Sequence, residues 1–379
     1  MKAAVTTLLL SVTGLLTLGI VMLYSASMAD KGGTHSLLMQ LIWLGIGLVA
    51  CVAAASMDYR KLKRFTWPIF GLAVVLLVLV FIPHIGTASH GARRWLLLPV
   101  GGIRFQPSEL GKIALILALA WYGDQYQRKM GTWKYGIAFP CCIIGLAVGL
   151  IFIEPDRGTS ILLSAVTGTM LLLAGVRFKH LMPLGLVVVT VLTISILRDP
   201  MRRDRVMAWA HPDQHKQDAG LQANHATLAF GSGGLTGVGL GESRQKLGWL
   251  PEHNTDFILP IIGEELGLVA TLFVVLAFML QMLCGFYIAW RAPDTFGLLL
   301  GCGLTLIIGL QAMFNIGVVT NVLPNKGLPL PFISYGGSNL LMSLMAIGVL
   351  LGIARRARMP ERALATATEP HGVPAPQMT

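Results

Sequence analysis

The sequence predicts an all-α, polytopic membrane protein with about ten transmembrane helices. Hydrophobic residues make up 54% of the 379 positions and charged residues only 12%, and the mean hydropathy is +0.69. Soluble domains carry about 25% charged residues. Apolar runs of about 20 residues, the length a bilayer requires, recur from end to end. The net charge of +11 does not indicate nucleic-acid binding, because the basic residues are scattered through short loops and form no aromatic-interleaved module. Cys51, Cys141, Cys142, Cys284 and Cys302 all fall inside predicted spans and form no CxxC pair. They read as small hydrophobes rather than as a disulfide framework or a thiolate metal site.

Taken in order, residues 1–27 combine Lys2, an apolar run and a small-residue SAS. That pattern mimics a secretory signal. The run is long enough to span, and further spans follow, so it is read as a retained first helix. The next six spans are placed at 36–56, 66–83, 108–122, 136–153, 158–175 and 181–197. The last three lie at 257–290, 296–320 and 335–354. An even number of spans puts both termini on one side. Fifteen Lys and Arg residues lie on that side in short segments, whereas seven of those opposite sit in the long loop 198–256, where they count little. Both termini are therefore expected to be cytoplasmic, with loops 84–107 and 198–256 outside. Residues 1–358 form one transmembrane domain. The Pro/Ala/Thr-rich tail over 359–379 is expected to be a disordered cytoplasmic segment.

The chain is organised around residues 231–266, where a glycine-rich polar loop enters a long apolar helix. Asp256 stands at that junction. Partial desolvation there raises a carboxylate's pKa toward the range useful to a general base. Its bland alternative is a helix N-cap, but Pro260 prefers the first helical position and would place the cap at Leu259. Glu264 and Glu265 then fall one turn inside. The run Gly231, Gly233, Gly234, Gly237, Gly239 and Gly241 is able to bring backbone amides near an anion, although no GK[ST] follows.

Ionisable residues at membrane depth are costly and usually functional. Arg93, Arg94, Arg104, Gln106, Glu109 and Lys112 gather before and within the fourth span. Glu109 and Lys112 share a helix face, either as an ion pair or with Lys112 and the arginines holding an anionic phosphate. In EPDRGTS, Asp156 reads as a helix cap, with a cavity or metal-ligand role as the alternative. His211 and His215 have metal-ligand spacing, but Pro212 between them favours a solvated loop. The arginines of RDPMRRDR suit a phosphate clamp or a headgroup-facing surface.

These residues stand in stretches whose order and spacing resemble the SEDS family (shape, elongation, division and sporulation) of polytopic peptidoglycan glycosyltransferases. The stretches are RFQPSELGK (104–112), EPDRGTS (154–160), RVMAWAHPD (205–213), GSGGLTGVGLGESRQKLGWLPEHNTDF (231–257), GEELGL (263–268) and NVLPNKGLPLPFISYGGSNLL (321–341). The resemblance spans about residues 5–358. SRQK and NKGLPLPFISYGGSN lean toward the division-specific branch, FtsW, with the elongation branch, RodA, as the alternative. One position departs: Asn254 stands where the family has His before the Thr-Asp pair, and His253 lies one residue earlier.

The resemblance implies polymerisation of lipid II into glycan strands on the outer face of the bacterial inner membrane, at the septum in the division branch. It implies Asp256 as the essential residue, a catalytic base. Substrate contacts are expected from Arg94, Arg104, Gln106, Glu109, Lys112, Asp156, Thr255, Glu264 and Glu265. The leaving diphosphate would be stabilised by Arg94, Arg104, Lys112 or a divalent cation, Mg²⁺ or Mn²⁺, whose ligands stay unassigned. No organic cofactor and no nucleic acid are expected. A class B penicillin-binding protein, a single-span transpeptidase, is the implied partner, alongside other divisome membrane proteins. The competing functions are a lipid II flippase, for which ten spans and embedded charges are suited, and a non-catalytic division scaffold.

Overall fold

The computed structural model describes residues 1–28, 33–83, 86–89, 92–97, 104–215 and 220–357. The tail expected over 359–379 lies outside the described residues. Helices stand at the positions of all the predicted spans. They are α1 (Lys2–Ser27), α2 (Gly33–Ser56), α3 (Leu62–Leu79), α4 (Pro107–Gln125) and α5 (Phe139–Ile153). Then come α6 (Arg157–Leu173), α7 (Phe178–Leu197), α10 (Ile258–Trp290), α11 (Thr295–Val319) and α12 (Gly337–Arg356). Among the described residues eight of these are long and apolar enough to cross a membrane. The exceptions are α4, which carries Glu109, Lys112 and Asp124, and α6, which is 17 residues long.

Two regions expected as loops contain structure. Residues 84–107 include a three-stranded antiparallel sheet of β1 (Gly86–Ser89), β2 (Ala92–Leu97) and β3 (Arg104–Phe105), in the order β1-β2-β3. Adjacent arginines interrupt the alternation that would have marked β2. The long loop holds α8 (Pro200–Ala210) and α9 (Leu221–Gly233).

The core sits around α11, which packs on α4, α6 and α10. Small residues allow these approaches, as expected where lipid removes any hydrophobic drive between helices. A side chain at Gly303 would meet Ile116 at 2.6 Å and Met170 at 2.8 Å. One at Gly348 would run into the Cys51 carbonyl of α2. By contrast α7 buries none of its residues. An apolar helix in that position is stable only with lipid around it.

At 33 residues α10 is about 50 Å long, well beyond the ~20 residues a bilayer needs. The excess is explained by a break at Gly267 (φ 74°, ψ −169°). The Glu264 and Glu265 carbonyls would ordinarily accept from the Leu268 and Val269 amides. Instead they accept from Val238 (2.9 Å) and Gly239 (3.1 Å), while Leu268 and Val269 donate to Gly234 (3.0 Å) and Leu235 (3.4 Å). The segment 233–239 is thus inserted into the helix and replaces its missing bonds one for one. Backbone runs against backbone here: a Cβ at Gly233 would strike the Gly263 carbonyl, and one at Gly237 the Glu265 carbonyl.

Gly267 occupies a region of φ/ψ space that is essentially glycine-only, and a Cβ there would collide with the Leu235 carbonyl and the Gly237 amide. Gly267→Ala is therefore expected to cost about 2 kcal/mol or more, read in detergent as a Tm lower by several degrees. An unchanged Tm would show that the insertion does not hold α10 together.

Candidate active site

The segment before α10 is a compact turn. Glu252 adopts the left-handed region (φ 59°), and its carbonyl accepts from the Thr255 and Phe257 amides, both at 3.1 Å. Thr255 Oγ1 donates to Glu252 Oε2 at 2.8 Å. Phe257 is the cap residue and offers no side-chain cap. The helix begins at Ile258, so Pro260 lies at its third position rather than its first. Asp256 is left free of capping, in the lead-in.

Three successive carbonyls hold this lead-in in place. Asn254 O accepts from the Tyr335 amide (2.9 Å) and Thr255 O from Ser334 Oγ (2.5 Å). Asp256 O accepts from Asn315 Nδ2 (2.7 Å), which also donates to Leu328 O (2.7 Å). The loop between α11 and α12 is therefore fastened to the Asp256 backbone. Gly327 of that loop lies against the Asp256 carboxylate, and its carbonyl and Leu328 pack on Gly158 at the start of α6. His253, buried, sets Nδ1 3.2 Å from the Leu250 carbonyl.

The electrostatics follow from this crowding. Burial pushes the half-buried Asp256 carboxyl up to about 7, Glu252 and Asp156 add to the shift, and Arg94 opposes it. Arg94 latches β2 onto the α5–α6 turn, donating to Glu154 O (3.2 Å) and Pro155 O (2.8 Å). Asp156 caps α6, accepting from the Thr159 amide and hydroxyl, both at 3.0 Å. Glu154 is only 1% exposed, and neither of its carboxyl oxygens has a hydrogen-bond partner. Burial, then Asp156, raise it to about 8 against the pull of Arg94. On the cationic side, burial and then Arg202, Arg157 and Arg205 lower Lys326 from the ordinary lysine range, and Asp156 opposes them. Beside this cluster α7 and α8 border an open cleft of about 360 Å³. Its walls include apolar Phe152, Val191 and Ile194 and basic Arg157, Arg198 and Arg202.

Of the residues selected from sequence, Arg94, Asp156, Thr255 and Asp256 come together. Arg104 lies on exposed β3, within electrostatic reach of Tyr335. Gln106 precedes α4; its amide donates to Ser338 Oγ (3.0 Å) and its side chain to Ser108 Oγ (2.9 Å), which joins α4 to α12. Glu109 and Lys112 form the ion pair (2.8 Å), each 4% exposed, and Lys112 also donates to Gln311 Oε1 at 2.8 Å. The cavity beside them is about 20 Å³, room for a water molecule and not a phosphate. In this arrangement Lys112 is engaged by Glu109 and Gln311. Gln311 donates on to Pro329 O (2.8 Å), so the pair supports the loop that touches Asp256.

Glu264 and Glu265 require a correction. Both are buried (2% and 0% exposed) and point at the chain's own loop, not at a substrate cavity. Glu264 accepts from the Arg244 (3.1 Å) and Gln245 (3.3 Å) amides and from Ser243 Oγ. Glu265 accepts from the Gly241 amide (3.0 Å), from Ser25 Oγ of α1 (2.7 Å) and from Lys246 Nζ (2.8 Å). The amides of the glycine-rich loop do gather around anions, but the anions are these two side chains. Two residues passed over in the sequence, Lys326 and Asn315, belong to the site. The available signal was a lone lysine in a Pro/Gly-rich loop between apolar helices. Among the described residues no three His, Cys, Asp or Glu side chains gather as for a metal ion.

Residues 6–359 match the family of cell cycle proteins that comprises FtsW, RodA and SpoVE. The chain belongs to this family. It is 40% identical to a probable peptidoglycan glycosyltransferase FtsW of Geobacter metallireducens, covering 92% of this chain and 94% of that one. It is 37% identical to stage V sporulation protein E of Bacillus subtilis, covering 91% and 95%. Among solved structures it resembles a chain of a peptidoglycan synthase complex that coordinates polymerization and crosslinking (TM-score 0.76, 27% identity, covering 93% and 98%). It also resembles the rod shape determining protein RodA of Thermus thermophilus (TM-score 0.69, 26% identity, covering 93% and 97%). Membership of the FtsW/RodA/SpoVE family and the apolar helices together make this a multi-pass membrane protein.

The raised carboxyl of Asp256 has a consequence for stability. The folded state holds its proton up to about 7, while the unfolded chain releases it near the ordinary aspartate value of about 3.9. Its stabilising contribution is therefore complete below about pH 4 and is lost as pH rises to about 7. Asp256→Asn carries no such loss. The Tm of the variant should exceed that of wild type by a margin that grows from about pH 4 to 7 and then levels. A margin independent of pH would contradict the shift.

Proposed function

We propose that this chain is a peptidoglycan glycosyltransferase that polymerises lipid II during cell division. The observation that carries the reading is Asp256: a half-buried carboxyl poised near 7, fixed through its backbone and within reach of Arg94, in a chain 40% identical to a probable FtsW. Identity is 40% to the probable FtsW of Geobacter metallireducens and 26% to the RodA of Thermus thermophilus, which favours division over elongation.

In this mechanism Asp256 takes the proton of the acceptor's N-acetylglucosamine 4-hydroxyl as that oxygen attacks the anomeric carbon of the donor's N-acetylmuramic acid. The bond from that carbon to undecaprenyl diphosphate breaks, and the diphosphate leaves with the electron pair. A base near neutrality is matched to this step. The developing negative charge falls beside Arg94, Lys326 and the arginines of α6 and α8, where preorganised cations stabilise a transition state most. Burial and then repulsion by Arg202, Arg157 and Arg205 lower Lys326 in the free protein, and an arriving diphosphate offsets the repulsion. The cleft along α7 provides an apolar wall for a polyprenyl chain and basic groups for its headgroup.

A divalent cation fits in one respect. Mg²⁺ keeps several waters and is held by one or two carboxylates plus substrate phosphates; Asp156 and the partnerless oxygens of Glu154 would hold it once Glu154 gives up the proton that burial keeps on it up to about 8. When bound, it would supply neutralisation of diphosphate charge. The site faces the outside of the bacterial inner membrane, both termini are cytoplasmic, and the chain works at the septum with a class B penicillin-binding protein and other divisome membrane proteins. The likeness to a synthase complex that couples polymerization to crosslinking supports such a partner.

Purified protein with its transpeptidase partner, supplied with lipid II, should form glycan polymer, and Asp256→Asn should lose at least about 10²-fold in rate. Polymer at the wild-type rate from Asp256→Asn would remove Asp256 from the chemistry.

A further inference from the structure

We propose that Gly327 is a positioning residue for Asp256: its missing side chain is the space the catalytic carboxylate occupies. This rests on the reading of Asp256 as the base. A Cβ at Gly327 would lie 2.6 Å from Asp256 Oδ2 and 3.7 Å from Asp256 Cγ, and no other atom comes within 4 Å. The carboxylate alone stands in the way.

The usual reasons for a glycine do not apply at this position. Gly327 has no positive φ, so alanine suits its backbone. It is exposed, so no packing against neighbouring chain excludes a methyl group. The contrast with Gly233, Gly237 and Gly267 is direct, since a side chain at each of those would strike backbone. A clash with backbone disrupts the fold, whereas a clash with the end of a side chain turns that side chain aside. At Gly327 the side chain turned aside is the base.

The loop itself has little freedom to retreat instead. Asn315 Nδ2 holds Leu328 O and Asp256 O together, both at 2.7 Å. Ser334 Oγ accepts from the Leu330 amide (2.8 Å) and donates to Thr255 O (2.5 Å). Gln311 fixes the Pro329 carbonyl at 2.8 Å. Because both strands of the site are fastened to α11 and to each other, an added methyl group is relieved by rotation of the Asp256 side chain. Displacement of a reacting group by about 1 Å costs on the order of 10²-fold in rate.

The experiment compares wild type, Gly327→Ala, Gly327→Val and Asp256→Asn, each in the full chain with its transpeptidase partner and lipid II. Gly327→Ala is expected to lower kcat by about 10²-fold, with KM within a few-fold of wild type and Tm close to it. Gly327→Val should be slower still, because its branched side chain reaches further. The pH dependence of Tm, which reports the Asp256 carboxyl independently of turnover, should shift in Gly327→Ala. Wild-type kcat and an unshifted pH dependence in Gly327→Ala, with Asp256→Asn inactive, would overturn the positioning role and leave the base assignment intact. A loss of activity in Gly327→Ala accompanied by a Tm lower by many degrees would also overturn it, by showing a structural role. Full activity in Asp256→Asn would instead sink the reading on which the inference rests.

Discussion

The backbone exchange at Gly267 fixes the start of α10, from which the Asp256 lead-in emerges. A helix interrupted in an apolar setting would leave amides and carbonyls unsatisfied, at a cost of several kcal/mol each. The segment 233–239 supplies the replacement bonds, and in doing so turns a glycine-rich loop into part of α10. Glu264 and Glu265 then bind the continuation of the same loop through its amides, and Lys246 and Ser25 complete the network across to α1. The short helical piece before the break is thereby a fixed platform, and the Asp256 lead-in emerges from its end.

A second set of constraints meets that lead-in from the other direction. The loop between α11 and α12 binds the Asn254 and Thr255 carbonyls, Asn315 of α11 binds the Asp256 carbonyl, and the loop is itself supported from below through Gln311 by the Lys112–Glu109 pair. Rigid placement and partial burial go together here. The packing that immobilises Asp256 is also what strips water from its carboxyl and raises it toward neutrality. The same crowding brings Asp156 within electrostatic reach of Glu154, Asp256 and Lys326, and Arg94 within reach of Glu154 and Asp256. The proposed base and the cations proposed to receive the leaving anion thus share one set of contacts.

The helical class was readable because membrane spans are long and apolar, and each predicted span coincides with a helix. Asp256 was readable for a local reason, its place where a polar loop enters an apolar helix. Residues whose role depends on long-range contact were not. Glu264 and Glu265 look like site carboxylates in sequence, and only the inserted loop shows that their partners are amides some twenty residues earlier in the chain. Lys326 reaches the site through tertiary placement of the loop that follows α11, and Asn315 through the packing of α11 beneath that loop, which no local pattern records. Gly233 and Gly237 suggested anion binding by backbone amides, yet they serve close backbone contact. The sheet of β1–β3 was hidden because its strands are short and β2 is interrupted by Arg93 and Arg94.

The most direct test is the pH dependence of lipid II polymerisation by the wild-type protein bound to its partner. If Asp256 must be ionised to act and is held where burial raises it, the rate should fall on the acid side with an apparent pKa of about 7. A rate that stays constant down to about pH 5, close to the ordinary carboxylate range, would contradict a desolvated aspartate as the base.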